Sequence, residues 1–228
     1  MTRQIAHSSP EEKALFDRIA TQLYAGAISD ILDEMGFRNQ AISPTLGIRP
    51  LDPRSVVIGR ALTLLNGHDQ REDNPYELAI QAMDLMKTGE VLVAAGTEML
   101  ETGIFGELSA TRVRHAGGRG AVINGFSRDG RKILEMDFPL FCRGISPIDT
   151  TGRVRVVDYG CRVPFGNHWV EPGQILFADL DGILLIPPEA ETEVLEKALE
   201  RASVESQVRS ELRQGATMDE VWKKYHVL

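Results

Sequence analysis

The sequence predicts an α/β fold: a mixed central sheet covered by helices, with helices at the N-terminus and a long C-terminal helix. Three observations predict it. Short apolar runs separated by Gly and Pro fill residues 55–187, the texture of strands and turns. Two helical stretches interrupt the first of these runs, giving the strand, helix, strand, helix, strand order that builds parallel pairs. Beyond them the runs follow one another with only turns between, which calls for antiparallel or mixed pairing. At 228 residues and 43% hydrophobic content the chain can bury a proper core, so one domain over 1–228 is expected.

Taken in order, "PEEKALFDRIA" carries Leu15, Ile19 and Leu23 at helical spacing, and Ile28, Ile31 and Leu32 begin a second short helix that Gly36 ends. These N-terminal helices occupy about 1–36. The strands are "VVIGRALTLL", "GEVLVAAG", "GAVING", "FPLFCRG", "VRVVDYG" and "QILFADLDGILLIP", and the helices between the first of them are "YELAIQAMDLMKTG" and "ELSATRVRHAGG". After Pro187-Pro188 the 188–228 extension opens in helical rhythm and runs to Gly215, with Val194, Ala198, Ala202, Val208 and Leu212 near one stripe. Such a helix is roughly 40 Å long, more than a small sheet needs. Two readings fit it: it packs on a neighbouring subunit, or it lies across its own domain.

The formal charge of -8 and the absence of a long basic run argue against a nucleic-acid partner. No apolar stretch reaches membrane-spanning length and no signal-type segment opens the chain, which points to a cytoplasmic protein that engages no membrane. Cys142 and Cys161 are too few for a disulfide scaffold and read as reduced.

The chemistry concentrates where two segments meet. Gly106-Glu107-Leu108-Ser109 forms the first turn of the helix that Gly117-Gly118 stops, and free N–H groups behind a glycine seat a carboxylate or phosphate. Taken alone, Glu107 is a first-turn acid that favours the helix dipole. The following strand, however, returns to the same sheet edge and there carries Arg128-Asp129. Glu107, Arg128 and Asp129 then face one crevice. That set suits a magnesium-type ion, which keeps several waters and takes one or two carboxylates, with Asp129 the direct ligand. Arg128 supplies a planar fork for a carboxylate or a developing oxyanion. The bland alternative is a surface ion pair in a turn.

"FGELSATRVRHAGGRGAVINGFSRD", followed by "FPLFCRGISP" and "VEPGQILFADLDGILLIP", resembles the 4-hydroxy-4-methyl-2-oxoglutarate aldolase family, which also holds the regulator of ribonuclease E activity A. The likeness runs from "ISDILDEMG" to "GATMDEVWKKYHVL". It implies trimers or hexamers with active sites between subunits, and class II aldolases that use Mg2+ or Mn2+ to release pyruvate from 4-hydroxy-2-oxo acids and decarboxylate oxaloacetate. It further implies that Asp129 binds the metal, Arg128 binds substrate, and the backbone of Gly106, Glu107, Leu108 and Ser109 seats the pyruvyl group. Glu107 stands where many members have Asp. The family's acid from an adjacent subunit is matched best by Glu205, which, like Glu107, would act on the metal through water.

Cleaving C3–C4 of such an acid leaves a pyruvate enolate, whose charge a cation must hold. A Schiff-base aldolase needs a desolvated lysine instead. Lys132 and Lys87 sit among charged or turn residues, and His7, His68, His115, His168 and His226 are scattered. The competing class is a non-catalytic regulator that binds ribonuclease E or a similar protein; the resemblance implies that this branch lacks the acid after the arginine, which Asp129 supplies here. A sugar-acid or other oxo-acid lyase on the same scaffold is the third reading. The polar segment "NGHDQREDNPYELA" either shapes the distal pocket or forms a surface loop.

Overall fold

The computed structural model describes residues 9–96 and 101–227. Residues 1–8 (with His7), 97–100 of the "TEMLETGIF" connection, and Leu228 lie outside that description.

Helix α1, Pro10–Gln22, starts on Ser9, whose hydroxyl accepts the Glu12 amide at 3.2 Å, with Pro10 at the position where its missing N–H costs nothing. Helix α2, Ala25–Glu34, stops where Gly36 turns to φ 84°. Strand β1, Arg49–Pro50, precedes the long β2, Val57–His68. Next come α3 (Glu77–Leu85), β3 (Glu90–Gly96), α4 (Glu107–His115) and β4 (Gly120–Ile123). The short β5 (Phe126–Ser127), α5 (Gly130–Glu135), β6 (Leu140–Cys142) and β7 (Gly144–Ile145) follow. Strands β8 (Val154–Tyr159), β9 (Val163–Phe165), β10 (His168–Val170), β11 (Ile175–Ala178) and β12 (Ile183–Leu185) complete the β part. Helices α6 (Glu191–Arg213) and α7 (Met218–Tyr225) end the chain.

The main sheet has the order β1-β6-β4-β3-β2-β11-β12, with β8 also on β2. Strands β2, β3, β4 and β6 are mutually parallel, as the alternation with helices predicts, and β8, β11 and β12 pair antiparallel. The expected antiparallel character of the later runs does not extend to "FPLFCRG". The unforeseen helix α5 carries the chain back, so β6 joins β4 in parallel.

Strand alternation divides the core. Ile58, Leu62 and Leu64 of β2 and Leu92 and Ala94 of β3 point to one face, which α1, α2 and α6 cover at one end and α3, α4 and α5 at the other. Val57, Ala61, Val91, Val93 and Val122 point to the opposite face, closed by the β9–β10 hairpin and by Ile42 and Ile48. All the sheet-covering helices therefore lie on one side. The sequence reading missed the hairpin because its strands have three residues each.

Helix α6 buries Val194, Leu195 and Ala198 against α1, α2 and β11, so its first half lies on its own chain. Its second half carries α7, through Glu211, which accepts from Tyr225 at 2.7 Å. Among the described residues no helix is long and apolar enough to cross a membrane. Cys142 is a free thiol, and burial pushes it above its ordinary value.

Arg60 ties the helices to the sheet. From β2 its Nε donates to Glu12 of α1 at 3.0 Å, its Nη2 to Glu191 of α6 at 2.9 Å and its Nη1 to the Gly173 carbonyl at 2.9 Å. All three side chains are less than one-fifth exposed. Arg60→Ala leaves two half-desolvated carboxylates facing each other, and should cost about 3 kcal/mol in urea unfolding. Arg54→Ala removes an ion pair on a side chain 82% exposed and should leave the unfolding midpoint close to that of the wild type. Equal losses for the two would show that the Arg60 cluster is not a structural tie.

Candidate active site

The crevice forms where three chain segments are knitted together beyond the ends of the parallel strands. Gly103 donates to the Ile148 carbonyl at 2.9 Å, Ile104 to Phe126 at 3.0 Å, Arg128 to Phe105 at 2.8 Å and Ser146 to Ser127 at 2.8 Å. β5 and β7 pair in parallel inside this knot, and the buried Ser127 hydroxyl donates to the Phe105 carbonyl at 2.7 Å. Arg128 therefore leaves a backbone fixed on both sides.

Two glycines make this approach possible. A Cβ on Gly103 would lie 2.8 Å from Arg128 Cβ, and one on Gly106 would lie 2.8 Å from Asp129 Oδ2 and 3.0 Å from Arg128 Cγ. Both are closer than real side chains come. Gly106 is the N-cap of α4 and has no side chain with which to cap it. Asp129 fills that role from across the crevice, its Oδ2 accepting the Glu107 amide at 3.2 Å. Asp129 adopts the left-handed conformation, φ 59° and ψ 30°, which Asp tolerates better than most residues and which brings its carboxylate back over the α4 terminus.

Arg128 is held between two carboxylates. Its Nε lies 3.6 Å from Asp129 Oδ2, and its Nη1 donates to Asp149 Oδ1 at 2.8 Å. Asp149 was not foreseen. It also accepts the Tyr76 hydroxyl at 3.0 Å and the Thr151 amide at 3.2 Å. Burial raises its carboxyl, but hydrogen bonds from the Thr151 hydroxyl, from Tyr76 and from the Thr151 and Thr150 amides outweigh that and bring it to about 2. The available sequence signal is Asp149-Thr150-Thr151-Gly152, an aspartate-led turn.

These groups line a cavity of about 490 Å³. The expected site residues Gly106, Leu108, Ser109, Arg128 and Asp129 all line it. Glu107, also expected there, does not line it: its amide donates to Asp129 Oδ2, and its carboxylate accepts the Thr111 hydroxyl one turn along α4 at 3.0 Å. Glu205 lies on α6 and does not line the cavity within its own chain. The "NGHDQREDNPYELA" segment divides: Asn66, Pro75 and Tyr76 line the cavity, whereas Asp69 pairs with Arg71 and Arg155 beside it. Lys132 sits in α5 and Lys87 in a turn, both exposed and neither in the cavity.

Among the described residues no three His, Cys, Asp or Glu side chains converge as a metal cage. The donor set instead suits a hard divalent ion that keeps most of its water. Asp129 offers Oδ1, which takes no hydrogen bond from the described residues, beside a glycine that leaves space and a cavity open to substrate oxygens.

A family model for RraA-like proteins, described as Aldolase/RraA, matches residues 26–185, well over half the chain. The chain belongs to the Aldolase/RraA family. A Halalkalibacterium halodurans protein named "Putative 4-hydroxy-4-methyl-2-oxoglutarate aldolase" is 29% identical over 85% of this chain and 84% of its own. Protein DlpA of Legionella pneumophila is 26% identical over 87% of this chain, which spans only 32% of that longer protein. Among solved structures, Streptomyces coelicolor RraAS2, described as an unusual member of the RNase ES inhibitor RraA protein family, superposes with a TM-score of 0.76 at 25% identity, covering 90% of this chain and 99% of its own. The mixed sheet and helix arrangement is thus that of the RraA-like fold.

Gly106→Ala should displace Arg128 and Asp129 by several tenths of an ångström. Whatever turnover the site supports should fall on the order of 10²-fold with the circular dichroism spectrum unchanged. Wild-type turnover in this variant would mean that the Arg128–Asp129 pair is not the reacting centre. The Asp149 carboxyl titrates below its ordinary 3.8, so its stabilising contribution is whole above about pH 4 and drains as pH falls through about 2. Carboxyl NMR should place its midpoint near 2; a midpoint near 4 would mean that its hydrogen bonds are not held in solution.

Proposed function

We propose that this chain is a divalent-metal-dependent lyase that cleaves a 4-hydroxy-2-oxo acid, such as 4-hydroxy-4-methyl-2-oxoglutarate or 4-carboxy-4-hydroxy-2-oxoadipate, to pyruvate and a second oxo acid, and decarboxylates oxaloacetate through the same enolate. The observation that carries this reading is the pressing of Arg128 and Asp129 against Gly106 at the start of α4, beside a cavity of substrate size.

In the cleavage the C3–C4 bond breaks, its electron pair passes to C3 and the 2-oxo group as an enolate, the C4 hydroxyl loses its proton, and C3 gains one. Asp129 would hold the divalent ion, which supplies Lewis-acid stabilisation of the charge developing on the 2-oxo oxygen. Arg128 keeps Nη2 for the pyruvyl carboxylate or enolate while Nη1 is engaged by Asp149. The Leu108 and Ser109 amides face the same anion from the helix start. Glu107, steadied by Thr111, exchanges protons with the C4 hydroxyl through water.

The neighbouring subunit enters through α6. Burial lifts the Glu205 carboxyl above its ordinary value, with Arg209 opposing. In a trimer or hexamer that helix would bring Glu205 to the adjacent crevice, again through water. A regulator that only binds another protein has no use for an ion-binding acid beside an arginine, and Asp129 favours the lyase.

Oxaloacetate decarboxylation should require Mg2+ or Mn2+ and vanish in EDTA, and borohydride should trap no substrate adduct on lysine. Asp129→Asn should lose metal binding and turnover with fold and assembly intact. Arg128→Lys should bind metal normally yet lose about 10²-fold in kcat, because a point charge cannot replace the fork. Undiminished metal affinity and turnover in Asp129→Asn would overturn the reading.

A further inference from the structure

Arg128 and Asp129 are neighbours in the chain, and a guanidinium beside a carboxylate ordinarily closes onto it in a short, forked pairing. Here the pair stays open. Nε of Arg128 lies 3.6 Å from Asp129 Oδ2, beyond hydrogen-bonding reach, whereas Nη1 donates to Asp149 Oδ1 at 2.8 Å. Solvation does not decide between the two acids, whose side chains are 38% and 40% exposed. The difference lies in what holds each of them.

Asp149 is anchored from outside the pair. The Tyr76 hydroxyl, at the start of α3, lies 3.0 Å from both of its oxygens, and the Thr151 amide donates to Oδ2 at 3.2 Å. The Thr151 hydroxyl in turn lies 3.1 Å from that of Tyr76. The preceding residue is pinned as well, the Ile148 carbonyl accepting the Gly103 amide at 2.9 Å. Asp129 is turned the other way: from a left-handed backbone its Oδ2 accepts the Glu107 amide at 3.2 Å, and Oδ1 takes no hydrogen bond from the described residues. A divalent ion on Asp129 and the guanidinium of Arg128 are both cations and compete for those same oxygens. Without a second acid in reach, the fork would swing onto Asp129 and occupy the ion's ligand.

Resting on the metal-dependent reading above, we propose that Asp149 is a positioning residue that acts through Arg128: by holding Nη1 it keeps the guanidinium off Asp129, which leaves the Asp129 carboxylate to a divalent ion and Nη2 to the substrate. Its removal therefore weakens the binding of the ion as well as that of the substrate.

Binding of Mn2+ alone to the full chain, followed by electron paramagnetic resonance, tests this without any turnover. Asp149→Asn keeps the shape of the side chain and an acceptor for the Thr151 amide, so it should fold. It should weaken Mn2+ binding about tenfold, the scale on which the partners of metal ligands act. Direct ligation by Asp149, or its charge acting through space, would also produce a loss, so a cycle with Arg128→Gln decides. With no guanidinium left to swing, the double variant should bind Mn2+ within about threefold of Arg128→Gln alone, the remainder being screened charge. Undiminished binding in Asp149→Asn, or a loss that persists in full when Arg128 is already Gln, would overturn the proposal. The two levels separate cleanly. Mn2+ binding that follows this cycle, with no carbon dioxide from oxaloacetate and no pyruvate from a 4-hydroxy-2-oxo acid, sinks the lyase chemistry alone, whereas a wild-type chain that binds no Mn2+ sinks the metal-dependent reading and this inference with it.

Discussion

The register of strand β2 is the constraint on which the other layers depend. It pairs in parallel with β3 over Arg60 to Asn66, while its other side is shared by β11 near its start and β8 near its end. Since side chains alternate, a slip of one residue would turn Ile58, Leu62 and Leu64 away from the helices and bring Val57 and Ala61 under them. The same slip would move Arg60 off Glu12 and Glu191 and take Leu64 and Asn66 from the cavity wall. Folding and site geometry are thus tied to one strand. The register with β8 shifts between Leu65 and Asn66, beside the two cavity-lining positions Leu64 and Asn66.

Much of this was legible because it rests on local patterns. The parallel half follows from apolar runs of sheet length separated by helices with glycine stops, and the start of α4 was visible in Gly106-Glu107 before a rhythmic segment. The proximity of Arg128 and Asp129 to that helix start follows from topology, since a strand–helix–strand unit returns to the same edge. Helix α5 was not legible: six residues give barely more than one turn, too short for a period to show. Placement of helices on a single face was hidden for another reason. Alternating strands buried on both sides look alike whether helices or a hairpin cover them.

The site divides the same way. Residues whose role comes from position along the chain were found, while those whose role comes from a partner were missed. Asp149 stands twenty-one positions beyond Arg128 in a turn of ordinary composition, and only the knot of segments around Gly103 and Ser146 brings it to the guanidinium. The arginines carry the opposite lesson. Arg112 and Arg155 also line the cavity, yet each has a carboxylate partner: Asp84 lies 3.0 Å from Arg112 Nε and Asp69 lies 3.1 Å from Arg155 Nε. Counting charges without their partners misjudges what a cavity can hold.

Asp129 shows how a conformational departure can be tied to use. If position 129 needed only a left-handed turn into α5, glycine would adopt φ 59° with no Cβ penalty. The aspartate side chain instead reaches the Glu107 amide and closes a helix start that Gly106 cannot cap. Gly106 in turn has to be bare, because a Cβ there would collide with that same oxygen. Each residue therefore explains the other: the glycine creates an uncapped terminus and the aspartate fills one of its amides. What remains for a bound anion is the other first-turn amides and the outer fork of Arg128. The head of the cavity is thus specified by a single backbone approach, that of Gly106 to Arg128 and Asp129.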